Sequence, residues 1–158
     1  ILRRRACRIE ALLPTGLAPN TGIGPDTAMR ILALMLLVLT AACRGDETVA
    51  AYGAGDSLWH LTEIDGAVFS ARATLGFPEA GRIAGTAPCN AYSGRMEAPY
   101  PWFAATEIAV TRRACPDLAA EAAFFAALSE MTLAEVAGDT LILSTPEGRE
   151  MVFTRAQP

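Results

Sequence analysis

Residues 85–94 read Gly-Thr-Ala-Pro-Cys-Asn-Ala-Tyr-Ser-Gly, and residues 111–116, further along the chain, read Thr-Arg-Arg-Ala-Cys-Pro. Each stretch places a cysteine at a break in regular structure. Cys89 follows a β-like run and is surrounded by turn-forming residues, whereas Cys115 comes directly before a helical pattern. Two cysteines at two such breaks suggest a cross-link between them, around which the rest of the fold is organised.

The first stretch also contains three residues with clear structural uses. Asn90 can bond its own backbone and cap a turn, and Gly94 permits the chain to leave that turn. The ring of Tyr92 can be buried while its hydroxyl finds a hydrogen-bond partner. A structural role therefore explains all three residues.

Length and composition indicate a single domain. The chain has 158 residues, of which 52% are hydrophobic and 19% are charged, and not all of them belong to the fold. Eight of the 13 basic residues but 15 of the 17 acidic residues lie beyond Cys43, which gives this part a net charge of −7. Such a balance argues against binding to a phosphate backbone, so no nucleic-acid partner is expected.

Residues 1–28 do not read as part of a folded domain. They begin with a basic run and continue through Pro14, Pro19 and Pro25 without a sustained hydrophobic period. We interpret them as an upstream segment that is disordered or not translated. A basic arm or transit segment is the alternative, but the prolines would prevent a stable amphipathic helix.

A lipoprotein signal peptide is predicted at residues 29–42. A short positive start is followed by an apolar run at 31–39, and small residues lead into Cys43. About twelve apolar residues are too few for a permanent transmembrane helix, which needs about twenty. Residues 39–43, Leu-Thr-Ala-Ala-Cys, resemble a bacterial lipobox, in which the cysteine is lipidated and becomes the mature N-terminus.

The lipobox also predicts where the protein resides. With a lipid on Cys43, it would be a membrane-anchored lipoprotein of the cell envelope that faces the periplasm. Arg44 rather than aspartate follows the cysteine, which is consistent with transfer to the outer membrane. The alternative is an ordinary secretory signal in which Cys43 is incidental.

Residues 43–56 are expected to form a flexible tether, because they contain three glycines and show no hydrophobic period. At the end of the tether, residues 55–58, Gly-Asp-Ser-Leu, match the nucleophile block of the GDSL esterases. A serine nucleophile needs a histidine base and oxyanion donors. The sole histidine, His60, would lie on the opposite face of a strand from Ser57. We interpret the match as coincidence.

Residues 57–155 predict an α+β domain, in which an antiparallel sheet is covered by one helix. Trp59 and Leu61 share the inward face of the first strand. A hairpin turn is expected at 78–81, and residues 132–154 read as an antiparallel meander. Other inward positions are expected at Ala73, Leu75, Phe77, Ile83, Leu141, Leu143, Met151 and Phe153.

Residues 115–131 form the one convincing helical pattern. Pro116 suits its first turn, and Asp117 and Glu121 favour the positive end of a helix. An apolar stripe should cover the sheet. It consists of Leu118, Ala122, Phe125 and Leu128, widened by Phe124 and Met131.

These motifs together resemble those of the META domain family and occur in the same order. They are the opening frame with Trp59, Leu61 and Ile64; Gly85 with Cys89-Asn90-Ala91-Tyr92; Thr111 with Cys115-Pro116, leading into a helix with Glu121 and Phe125; and the Gly138-Asp139 hairpin. Pro88 stands where the family usually has glycine. The resemblance covers residues 57–155 and implies an antiparallel sheet or cracked β-barrel with one packed helix. It also implies an envelope-stress role, without an agreed chemistry.

A disulfide between Cys89 and Cys115 is predicted inside this frame. An export signal would deliver the chain to an oxidising compartment, where these two cysteines remain after Cys43 is lipidated. The alternative is a pair of buried free thiols that act as small apolar residues.

The sequence contains few combinations of residues suited to catalysis, so no catalytic, cofactor-binding or metal-binding residue is predicted. One histidine excludes a multi-histidine metal centre, and Cys89 and Cys115 lack the Cys-x-x-Cys spacing of zinc or thioredoxin-like sites. The expected function is that of a non-enzymatic envelope lipoprotein that contacts an envelope protein or a small apolar ligand. The alternatives are a small hydrolase or thiol enzyme that uses Ser57 or Cys89 with His60, and a ligand carrier built as a partly open barrel.

Overall fold

A computed structural model of the chain describes residues 45–157. The predicted upstream segment 1–28, the predicted signal peptide 29–42 and Cys43 with its predicted lipid lie outside the described residues. The described part contains nine strands and one α-helix, and it opens with an irregular helical turn at Ala50–Ala54.

The elements follow one another in a strand-rich order, with the helix inserted before the last three strands. They are β1 Leu58–Ile64, β2 Ala67–Val68, β3 Thr74–Gly76, β4 Arg82–Thr86, β5 Ala91–Arg95, β6 Thr106–Val110, α1 Leu118–Glu130, β7 Leu133–Ala137, β8 Thr140–Ser144 and β9 Glu150–Arg155.

All strands belong to one antiparallel sheet with the order β6-β5-β4-β3-β1-β9-β8-β7, and β2 pairs with β1. The loop between β5 and β6 reaches the other edge of the sheet, where Trp102 pairs with Leu133 at the start of β7. Beside this pair, the Phe103 N–H donates to the Thr132 carbonyl (2.8 Å). The sheet therefore curls into a half-barrel, and the predicted α+β fold with one packed helix is confirmed.

The side chains that alternate inward along the strands form one buried cluster with the helix. Trp59 is fully buried on β1, and Leu61 follows it on the same face. The other predicted inward positions are confirmed at Ala73, Leu75, Phe77, Ile83, Leu141, Leu143, Met151 and Phe153. Burying one large apolar side chain contributes about 1.5–3 kcal/mol, so this cluster is the main source of stability of the sheet.

Helix α1 differs from its prediction in its start and in the face that it buries. It begins at Leu118 rather than Cys115, because Pro116 and Asp117 form a turn before it. Leu118 is 48% exposed, and Ala122 also lies on the surface. The buried residues are Glu121, Phe124, Ala127 and Leu128. The predicted stripe is confirmed at Phe124, Leu128 and Met131, which are buried, and at Phe125, which packs against the core cluster. It is wrong at Leu118 and Ala122, because alanines occur on every face of this helix and hydrophobicity does not distinguish one face from another.

Residues 46–55, called the hook from here on, do not form the flexible tether predicted for residues 43–56. Val49 and Ala54 are fully buried and belong to the core cluster. The Trp59 indole N–H donates to the Ala54 carbonyl (2.9 Å). Buried apolar side chains and a buried hydrogen bond outweigh the flexibility that glycines allow, so the hook is part of the domain.

Gly85 on β4 lies where no side chain fits. A Cβ atom there would overlap the Thr74 carbonyl oxygen and lie 3.0 Å from the Tyr92 hydroxyl. That hydroxyl donates a buried hydrogen bond to the same Thr74 carbonyl (2.8 Å). The glycine therefore leaves room for a bond that links β5 to β3 across β4.

We expect Gly85→Ala to lower the free energy of unfolding by about 1–3 kcal/mol, because β3 or β4 must shift to admit the methyl group. Gly76→Ala on β3 is the matched control. An added Cβ at Gly76 meets its nearest neighbours at 3.5 Å, an ordinary contact distance, so its effect should stay within about 0.5 kcal/mol. Urea unfolding measures both variants, and equal midpoints would contradict the steric account.

Candidate functional site

The tip of the β4–β5 hairpin carries the central sequence motif. The Ala87 N–H donates to the Asn90 carbonyl (2.7 Å), so Pro88 and Cys89 form the two residues of the tip. Proline is favoured at the first central position of a turn, because its ring fixes φ near the value required there. The turn therefore accommodates Pro88.

Glu121 projects from α1 to this tip and is only 8% exposed. Its Oε2 atom accepts hydrogen bonds from the backbone N–H groups of Cys89 (3.0 Å) and Asn90 (2.9 Å). Its Oε1 atom accepts a third from the Asn90 side-chain amide (2.8 Å). Three donors replace the water that burial removes, and hydrogen bonds to a charged acceptor are the stronger kind.

Asn90 extends this network away from the helix. Its Oδ1 atom accepts hydrogen bonds from the Thr111 hydroxyl (3.0 Å) and the Arg113 backbone N–H (2.7 Å). The Thr111 hydroxyl in turn accepts one from the Ala91 N–H (3.2 Å). The amide side chain of one residue thus joins the helix, the hairpin tip and the segment that follows β6.

The disulfide between Cys89 and Cys115 closes the same corner, and the predicted pairing is confirmed. The two Cα atoms lie 5.7 Å apart, and 26 positions separate the residues in sequence. A Cα separation in this range suits a disulfide. Cys89, Asn90, Thr111, Cys115 and Glu121 are called the corner cluster from here on.

Tyr92 lies beside the corner cluster on β5 and is buried. Its ring meets Phe124 and Phe125 of α1, with ring centroids 5.5 Å and 5.4 Å apart. Burial raises the pKa of the Tyr92 hydroxyl above its ordinary value. The hydroxyl therefore stays protonated and serves as the donor to the Thr74 carbonyl.

An open groove, called the β6 groove, runs between β6 and the start of α1 and borders the corner cluster. Ile108, Val110 and Leu118 are its apolar lining, and Arg112 and Arg113 line it as well. In the described part of the chain, neither arginine has a carboxylate within salt-bridge distance. Glu121 also lines the groove, but its carboxylate already accepts three hydrogen bonds at the hairpin tip. The β6 groove therefore combines a short apolar surface with two arginines and one hydrogen-bonded carboxylate.

Ser57 and Cys89, which the enzyme hypothesis combines with His60, have other partners in the structure. The Ser57 hydroxyl accepts a hydrogen bond from the guanidinium of Arg155, which also lies 4.5 Å above the Trp59 ring. His60 is a half-buried residue of β1, on the face opposite Trp59. Cys89 has no free thiol, because its sulfur is bonded to Cys115.

Residues 45–157 contain neither a cluster suited to a metal ion nor a helix suited to crossing a membrane. No group of three or more histidine, cysteine, aspartate and glutamate side chains is placed to hold a metal ion there. No helix of the same residues has the length and apolar character needed to cross a bilayer.

The fold and the corner cluster define a class of protein: a half-barrel whose covering helix is fastened to a hairpin tip by a buried carboxylate, with a disulfide between the same tip and the segment before the helix. The family model of the META domain matches residues 54–158, two thirds of the chain. The chain belongs to the META domain family. The comparison with curated proteins finds no match.

Solved structures with a similar fold include an NMR structure of a protein from Burkholderia xenovorans. It is 20% identical with a TM-score of 0.54, over 74% of this chain and 94% of that one. A second NMR structure is 19% identical with a TM-score of 0.50, over 62% and 87% of the two chains. The crystal structure of a DUF4847 family protein from Bacteroides vulgatus ATCC 8482 is 12% identical with a TM-score of 0.54, over 68% and 97%. At these identities the likeness supports the fold alone.

Most of the motif residues that the sequence singled out meet at one place. Asn90 and Thr111 belong to the corner cluster, whereas Gly85 and Tyr92 lie on the adjoining strands. Pro116 lies in the turn before α1. Trp59 belongs to the core, where its indole holds the hook.

Glu121 is the member of the corner cluster whose role the sequence did not reveal. Its position near the helix start favoured an interaction with the helix dipole, but its carboxylate binds the hairpin tip instead. A usable signal existed in the spacing. Glu121 precedes Phe124 and Phe125 by three and four residues, which places all three on one face of a helix.

We expect Glu121→Gln to lower the free energy of unfolding by about 1.5–3 kcal/mol. The amide nitrogen of glutamine can only donate, so at least one of the N–H groups of the tip would face another donor. Denaturant unfolding with the disulfide intact measures the effect.

Glu130→Gln, at the other end of the same helix, is the matched control. The Glu130 side chain is 50% exposed and pairs with Arg149 at the surface, so its loss should cost less than about 1 kcal/mol. If the two variants unfold alike, Glu121 does not hold the tip.

Removal of the disulfide by the double substitution Cys89→Ala/Cys115→Ala should lower the free energy of unfolding by about 3–4 kcal/mol, because the unfolded chain gains the entropy of an open loop. Peptide mapping without reduction gives an independent readout, in which a single linked pair of peptides containing Cys89 and Cys115 is expected. Alkylation of both thiols in the denatured, unreduced protein would contradict the bond.

Proposed function

We propose that this META domain protein is a non-enzymatic lipoprotein of the cell envelope, anchored to the outer membrane through Cys43 and facing the periplasm. It acts by contact with an envelope protein or a small apolar ligand at the β6 groove. The observation that carries the proposal is the arrangement of the corner cluster, where the side chains of Asn90, Thr111 and Glu121 are bonded to one another and to backbone.

The chemistry of these groups favours a structural role over catalysis. A general base or nucleophile must be free to take a proton from a substrate or to attack it. The carboxylate of Glu121 already accepts three hydrogen bonds, and the raised pKa of Tyr92 keeps its hydroxyl protonated. The sulfur of Cys89 is held in the disulfide.

The corner cluster supports the β6 groove as the contact surface, because it fixes the segment that carries the two arginines. The Arg113 N–H donates to Asn90 Oδ1 (2.7 Å), and the Cys115 sulfur is bonded two residues further on. A rigid surface loses little conformational entropy on binding. Val110 and Leu118, which are 37% and 48% exposed, give a partner an apolar surface to cover.

The disulfide and the lipobox support the location of the protein. Disulfides persist in oxidising compartments such as the bacterial periplasm, and the apolar run before Cys43 has the length of an export signal rather than of a membrane span. The envelope-stress role that the family resemblance implies belongs to the same proposal.

Membrane anchoring predicts that the mature protein begins at Cys43 with a diacylated sulfur and fractionates with membranes. Intact-mass analysis of the purified protein measures the modification, and the Cys43→Ser form should be soluble or unprocessed. An unmodified cysteine in the mass spectrum would overturn the anchoring.

Contact at the β6 groove predicts that a photoreactive amino acid placed at Leu118 forms a discrete cross-link in intact cells. The same group at Glu147, in the exposed turn between β8 and β9, is the control and should form none. Substitution of Arg112 and Arg113 by serine should weaken the cross-link if the partner is acidic. The same adducts from both positions would contradict a specific contact at the groove.

A further inference from the structure

An exposed aromatic patch lies where the hook meets the loop between β5 and β6. The rings of Tyr52 and Tyr100 are stacked, with centroids 4.5 Å apart and planes 12° apart. Trp102 follows in a tight turn, in which its N–H donates to the Pro99 carbonyl (2.8 Å). Tyr52 and Trp102 are each 56% exposed, and large apolar side chains exposed together mark a surface for interaction.

The chain itself limits how far this patch can lie from the lipid of Cys43. The Tyr100 N–H donates to the Glu47 carbonyl (2.7 Å), and Val49 is fully buried. The backbone is therefore fixed to the domain from Glu47 onward. Glu47 is only four positions after Cys43, and four steps of the chain span at most about 14 Å when fully extended.

We infer that the aromatic patch of Tyr52, Tyr100 and Trp102 inserts into the interface of the bilayer that anchors Cys43, so that the domain docks on the membrane in one orientation. The inference rests on the proposed lipidation of Cys43. The headgroup region adds only about 5–8 Å to each side of the hydrocarbon core. With Cys43 anchored in the membrane, the short chain keeps the Glu47–Tyr100 contact within about 14 Å of the cysteine, and therefore close to the headgroups. A flexible tether of 14 residues would impose no such limit.

The chemistry of the patch suits a lipid surface. Tyrosine and tryptophan are enriched at membrane interfaces, since each has an apolar ring and a polar group that stays hydrated. The hook begins with two acidic residues, Asp46 and Glu47, which do not favour anionic lipid. The expected partner is therefore a zwitterionic bilayer surface, contacted through aromatic rings rather than through charge.

Tryptophan fluorescence tests the inference, because the chain has two tryptophans and Trp59 is fully buried. The lipidated, full-length mature protein is reconstituted into phosphatidylcholine vesicles that contain lipids with a nitroxide either near the headgroup or at the end of an acyl chain. We expect the headgroup-proximal nitroxide to quench most of the Trp102 emission. The deep nitroxide should quench less of it. The Trp102→Phe variant, which reports on Trp59 alone, should be quenched little by either lipid.

A relocated tryptophan is the matched control. Val68 is 81% exposed on β2, which pairs with β1, and β9 and β8 lie between β1 and the β7 edge near the patch. In the Trp102→Phe/Val68→Trp variant, the relocated tryptophan should escape quenching.

The outcomes separate this inference from the proposal on which it rests. If the protein is lipidated and floats with the vesicles, but Trp102 is quenched no more than Trp59 or the tryptophan at position 68, the docking is overturned and the anchoring stands. If mass analysis finds Cys43 unmodified and the protein does not float, the anchoring is overturned and the docking with it.

Discussion

The buried carboxylate of Glu121 is the interaction on which the rest of the structure depends. Removing a carboxylate from water costs several kcal/mol unless other donors replace the water. The hairpin tip supplies these donors, and two of them are backbone N–H groups of Cys89 and Asn90. The tip must therefore hold one conformation when the helix is in place. The docked helix then covers Tyr92 with Phe124 and Phe125, which completes the core at this end of the half-barrel.

The corner cluster is held together by one covalent bond and by several hydrogen bonds. The disulfide restricts the unfolded chain, whereas the carboxylate of Glu121 stabilises the folded state directly. Asn90 accepts a hydrogen bond from the Arg113 N–H and so fixes the backbone of the segment that follows β6. The same segment carries the two arginines of the β6 groove. Stability and presentation of a binding surface thus depend on the same few residues. The hook is held separately, through the Trp59 indole and the buried side chains of Val49 and Ala54.

The strands could be predicted from the sequence because a sheet with one buried face alternates apolar and polar residues. Trp59 and Leu61 follow this rule, and both are buried. The helix face could be predicted only in part. Phe124 and Leu128 are buried as expected, whereas Leu118 and Ala122 are exposed, since alanine occurs on all sides of α1 and does not mark the inward face. The partner of Glu121 was equally hidden, because a bond to the backbone of Cys89, 32 positions earlier, leaves no mark on composition or period. The hook is ordered by tertiary contacts, which could not be predicted from a sequence whose glycines suggest flexibility.

The most direct measurement of the central claim is a double-mutant cycle on unfolding free energy with Asn90→Ala and Glu121→Ala. If the carboxylate holds the hairpin tip, the two residues share one network, and the double variant should lose less stability than the two single losses added together. A coupling energy of at least about 1 kcal/mol is expected for residues that share buried hydrogen bonds. Additive losses, with no coupling beyond experimental error, would show that the tip and the helix are held independently of this contact.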